Sequence, residues 1–145
     1  MFQARRKASR ALDWFCAAMV LAWGVSLALP GSTLTSSPAY EPFLEKASEP
    51  VWAGILIFIG SLRFVALFIN GHAPQGSPIL RGVAAFLGVI IWAHFFAGFL
   101  DVSIRMGVAS AGIGINLVML GADMFSTGRA AADTIRARQG HVLGN

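Results

Sequence analysis

The sequence predicts an all-α integral membrane protein, a four-helix bundle with both termini in the cytoplasm. Three observations carry this. Only 12% of the 145 residues are charged while 56% are hydrophobic, against about 25% charged in a soluble domain. Mean hydropathy is +0.67. The apolar residues gather into four blocks, each near the roughly 20 residues a helix needs to cross about 30 Å of hydrocarbon. None of the blocks alternates strictly, as the strands of a membrane β-barrel would. Intrinsic disorder, which needs low hydrophobicity and high charge, is excluded. A single cysteine excludes a disulfide scaffold and a cysteine-rich zinc site.

The first span covers residues 12–30, with a charge-free core from Trp14 to Leu29 closed by Pro30. Its basic prelude, Arg5, Arg6 and Lys7, and the run Ser26-Leu27-Ala28 also fit a secretory signal peptide cleaved after Ala28. The block is long for that, so an uncleaved span is the preferred reading. A polar, turn-rich stretch follows, in which residues 41–48 form a short amphipathic surface helix. The second span, 51–69, is interrupted only by Arg63. Asn70-Gly71, Pro74, Gly76 and Pro78 then mark a loop. The third span, 82–100, has His94 as its sole ionisable group. Residues 101–103 make a very short turn, so the third and fourth spans are antiparallel neighbours. The fourth, 104–125, carries Arg105, Asn116 and Asp123. The basic tails are 1–11 and 126–145, the latter holding a separate short amphipathic helix over 128–139.

Lysine and arginine set the orientation. Arg5, Arg6, Lys7, Arg10, Arg81, Arg129, Arg136 and Arg138 fall on one side, and Lys46 and Arg105 on the other. The richer side is the cytoplasmic one. Trp52 is expected at the outer interface and Trp14 at the inner one, where indoles settle. The net charge of +4 therefore reports topology rather than nucleic-acid binding. The expected location is a bacterial inner membrane, and the lipid bilayer is the expected first partner.

Polar groups within the spans are the candidate site residues, because a charge at the bilayer centre costs about 2.5–3.5 kcal/mol. Arg63 lies six residues from the inner end of its span, about 9 Å. Three readings stand for it: snorkelling to the headgroups, pairing with Asp123 or Asn116 on the fourth span, or holding a transported ion. His94 shares a helix face with Asp101 at i+7. No deep carboxylate continues a proton relay, so a histidine satisfied by a neighbouring helix is preferred. Cys16 reads as a small packing residue, with S-acylation the alternative. No metal set or nucleophile–base pair is visible, so neither a cofactor nor catalysis is expected. Along the fourth span, Gly107, Ala111, Gly114, Val118 and Gly121 form a small-residue seam. Such seams let backbones approach, within the chain or between copies. Packing within the chain is the preferred reading, and Asn116 and Asp123 lie on nearly the opposite face.

Several fragments together resemble a family of small phage- and prophage-encoded multi-span proteins of uncharacterised function. They are Ser37-Pro38-Ala39-Tyr40, Glu49-Pro50-Val51-Trp52-Ala53-Gly54, Gly60-Ser61-Leu62-Arg63, Ile69-Asn70-Gly71, Ser77-Pro78-Ile79-Leu80-Arg81, Trp92, and Arg129-Ala130-Ala131-Ala132-Asp133, in order over residues 37–138. The resemblance implies a phage or prophage context near lysis functions and carries over no catalytic residues. The expected function is non-enzymatic action through helix packing or oligomerisation, in a holin-like manner. An accessory or scaffold subunit of a larger membrane complex is the alternative, and so is a small transporter or channel lined by Arg63, Asn116 and Asp123.

Overall fold

The computed structural model describes residues 2–72 and 78–143. The described residues contain five helices and no strand: α1 (Phe2–Ala28), α2 (Glu41–Leu44), α3 (Glu49–His72), α4 (Pro78–Met106) and α5 (Ala111–Leu143), with a 3₁₀ turn at Pro38–Tyr40. The basic prelude is thus the first turns of α1 rather than a separate tail. α1 ends where Pro30 cannot continue a helix and Gly31 takes φ 146°.

The connection from α1 to α3 is tied down. Glu49 accepts hydrogen bonds from the Thr33 and Leu34 backbone N–H groups at 2.9 and 3.0 Å. Ser37 caps the 3₁₀ turn, and α2 then turns Phe43 fully into the interior. The expected surface helix over 41–48 is therefore shorter, and it is anchored by a buried ring.

Three boundaries differ from expectation. Asn70-Gly71 does not turn the chain, because α3 runs to His72. The propensity penalty of one glycine, about 1 kcal/mol, does not stop a helix already propagating. Pro74 and Gly76 lie outside the described residues. Residues 101–103 are helical rather than a turn, and Asp101 pairs with Arg105 one turn on at 2.5 Å. Charge following an apolar run marks the end of hydrocarbon, not of helix. The reversal comes at Gly107, whose φ of 66° suits glycine at a helix C-terminus. Ser110 then accepts from the Gly112 N–H at 3.2 Å to start α5. Finally, the expected tail helix over 128–139 is continuous with α5.

The long helices pack as two antiparallel pairs. In α1 and α3, a Cβ on Gly24 would fall 2.7 Å from the Ile57 nitrogen, and one on Gly60 would fall 2.8 Å from the Leu21 Cα. Residue numbers rise along one helix as they fall along the other. In α4 and α5, Gly82 lies against Ala130 and Gly112 against Phe99 in the same sense. The bundle thus has a tail end, where α1 begins and α5 finishes, and a plug end, under α2. Its core includes Cys16, Val20, Leu56, Trp92, Phe95 and Met119.

Among the described residues, three helices are long and apolar enough to cross a membrane, over Arg10–Ala28, Glu49–Ile69 and Ile79–Met106. Large apolar side chains cover the outside: Phe58 is 67% exposed, Ile104 73% and Val118 69%, a surface suited to lipid rather than water. The expected fourth crossing falls on the first half of α5, which is not among the three. Asn116, Asp123 and the glycines dilute its apolar character.

Candidate functional site

At mid-bundle, towards the tail end, Arg63 on α3 meets Asp123 on α5. Nη1 donates to Oδ2 at 2.6 Å and Nη2 to Oδ1 at 2.5 Å. The two side chains are 3% and 0% exposed. Of the readings open for Arg63, the structure places this pairing. Two planar forks engaged twice fix orientation as well as distance. Gly88 on α4 makes room, since a Cβ there would collide with Arg63 Nη1 and Asp123 Oδ2. From α1, the Cys16 thiol lies beside Asp123. All four long helices meet around one ion pair.

Nearer the tail end, the Ser126 hydroxyl donates to Asp13 Oδ1 across 113 residues of sequence, and Asp13 is buried. Arg81 Nη2 donates to Asp133 Oδ2 at 2.7 Å, which joins the start of α4 to the far part of α5. Arg136 approaches the same carboxylate at 3.7 Å. A narrow cleft with room for about one water molecule, lined by Asp13, Arg63, Arg81 and Ser126 with alanines such as Ala84 and Ala85, sits among these groups. Arg81 Nε is closed off from solvent and has no hydrogen-bond partner among the described residues.

The other sequence-predicted residues lie apart from this centre. Asn116 is fully buried, but its amide donates to its own helix, at Gly112 O, 2.7 Å away, and not to Arg63. Its Oδ1 is unpartnered, as is Trp92 Nε1. His94 belongs to the plug end. It stacks on Trp52 with centroids 5.2 Å apart and meets Phe43 edge-on at 5.9 Å, while Asp101 pairs with Arg105 instead. Trp52 is buried in the bundle rather than turned outward, and its Nε1 donates to Phe43 O at 2.9 Å. Phe43 also packs on Phe95 and Phe99 at 4.7 and 5.3 Å.

The seam reading needs correction. Gly107 is in the turn before α5, Ala111 is exposed, and none of the described residues comes within 4 Å of a Cβ built on Gly114 or Gly121. The seam faces away from the other helices. Close approaches within the chain occur at Gly24, Gly60 and Gly88, which were embedded in apolar runs without a distinctive pattern. Asp13, Ser126 and Phe43 were also missed. Asp13 passed as the boundary of a span, and nothing in the order of residues couples it to Ser126. Among the described residues no group of three His, Cys, Asp or Glu is placed to hold a metal ion.

No protein-family model, curated protein or solved structure matches this chain.

Proposed function

We infer that the chain is a phage-type multi-pass inner-membrane protein that acts without catalysis, through helix packing and assembly with further copies, in a holin-like manner. In this reading the first half of α5 makes the fourth crossing and both termini lie in the cytoplasm. The observation that carries it is the internal closure of charge. Arg63 and Asp123 neutralise each other inside the bundle, so the outward faces present apolar side chains and the open Gly114–Gly121 stripe to lipid or to other helices. Arg10, Arg81, Arg129 and Arg136 gather at the tail end, which supports a cytoplasmic tail end. A cleft with room for about one water molecule does not favour a path for an organic solute.

Induced expression in bacteria, followed by growth and a potential-sensitive dye, tests the reading. The expected result is an abrupt arrest with collapse of membrane potential once the chain has accumulated. Continued growth with the chain abundant in the membrane overturns holin-like action. Recovery in fixed ratio with one larger complex establishes the accessory-subunit alternative instead.

A further inference from the structure

The bundle is two hairpins, each locked internally and joined to the other through side chains. In the first, α1 with α3, Gly24 and Gly60 bring backbone against backbone. In the second, α4 with α5, Gly112 seats the Phe99 ring, and Arg81 pairs with Asp133. Across the junction the glycine approaches meet side chains alone, the Arg63 end of the fork at Gly88 and the Phe43 ring at Gly98. The polar part of the junction is complementary. The first hairpin brings Arg63 and Asp13, and the second answers with Asp123 and, one turn along α5, Ser126. Among residues whose side chains are described, Asp123 has no substitute cation in its own hairpin. Arg81 pairs with Asp133, Arg105 with Asp101, and Arg129 lies over the Phe125 ring.

Within a bilayer, apolar faces gain little by meeting one another rather than lipid, and helices associate through packing and hydrogen bonds. The fork is the strongest such bond between the hairpins. A hairpin that leaves its partner strands a charge, which costs about 2.5–3.5 kcal/mol at bilayer depth, so it must find another fork. A second copy of the chain carries one of the same geometry, with the Asp13–Ser126 contact beside it. Closed bundles that merely touch do not offer it, because the two side chains are 3% and 0% exposed. Five residues join His72 to Pro78, a reach of about 20 Å when extended or about two helix diameters. The exchanging copy is therefore an immediate neighbour.

We propose that copies of this chain assemble by exchanging hairpins, with Arg63 on α3 of one copy forking with Asp123 on α5 of the next and Asp13 accepting from the neighbour's Ser126. The exchange rests on the reading that the protein acts through assembly with further copies, and it names the contact that holds them. The same fork is then the lock of the single bundle and the bond between copies.

The test is co-expression of Arg63→Asp with Asp123→Arg, each full-length and differently tagged, read by recovery from membranes in detergent and by native mass spectrometry. Each variant alone opposes like charges at the fork and is expected at about a tenth of the unaltered chain's level. Together, exchanged hairpins restore two forks at once, one of natural polarity and one reversed. Recovery is then expected near the unaltered level, as mixed assemblies holding both tags in equal ratio. If the reversed fork does not fit beside Gly88, Arg63→Leu with Asp123→Leu repeats the test, since exchange then yields one natural fork and one apolar pair. No rescue in either pairing overturns the proposal, and so do single variants as abundant as the unaltered chain, or rescued chains that carry one tag each. Growth arrest by the unaltered chain is scored separately. Its absence overturns holin-like action and leaves rescue as support for exchange, whereas arrest without rescue overturns exchange alone.

Discussion

The two halves of the bundle are held in different ways. Towards the tail end, polar side chains from all four long helices meet one to one: Arg63 with Asp123, Asp13 with Ser126, Arg81 with Asp133. Towards the plug end, Phe43, Trp52, Phe95 and Phe99 fill space around one inserted ring. Ion pairs are exacting. Each has a single geometry, and loss of one partner leaves a buried charge behind. Aromatic packing is graded, because each atom adds a small contact and neighbours can relax. The tail half therefore specifies which helices meet and in what register, whereas the plug half sets how tightly the end is filled. Arg63 and Asp123 belong to different antiparallel pairs, so their fork also ties the two pairs together.

Single substitutions break this comparison in a definite order. Arg63→Ala strands Asp123 and is expected to cost about 3–5 kcal/mol, measured by unfolding in mixed detergent micelles. Replacing both partners with leucine recovers most of that loss, because an apolar pair of similar volume is often neutral or stabilising. If the double variant is as unstable as the single one, the fork is not the source of the effect. Phe43→Ala at the other end is expected to cost about 3 kcal/mol through the cavity it leaves. The same measurement should show that the cost shrinks with Phe43→Leu, as graded packing requires. Trp52→Phe removes the bond to the Phe43 carbonyl and part of the ring stacked on His94, an effect of about 1–2 kcal/mol, seen as a lower unfolding midpoint. Arg105→Gln, on the outside, should leave the midpoint unchanged; a clear loss there would mean that the surface pair organises the turn at Gly107.

Much of the fold follows from the order of apolar and polar residues, and the reasons for the exceptions are physical. The three candidate crossings come from composition summed over many residues, so no single side chain decides them. Pairing of Arg63 with Asp123 was legible only as one reading beside snorkelling, because the two lie near the same end of their spans and depth is a one-dimensional quantity. Gly88 was not, since its role depends on what approaches from α3 and α5. Asp13 and Ser126 stand on helices joined only by the long route through the chain, and their contact is purely three-dimensional. The turn falls at 107–110 rather than 101–103 because charge does not stop a helix when Asp101 and Arg105 support each other along it. The outward Gly114–Gly121 stripe shows that spacing identifies a face but not what covers it.

One consequence of α5 concerns leverage. It runs unbroken for 33 residues, about 50 Å, whereas the hydrocarbon sheet is only about 30 Å thick. In the proposed fourth crossing such a rod leans or stands proud of the sheet, and it magnifies any rocking at its base. A lean of about 10° at Gly114 sweeps Leu143 sideways by about 8 Å. The strut from Arg81 to Asp133 grips the rod well above that base, so it sets how far the mast can swing.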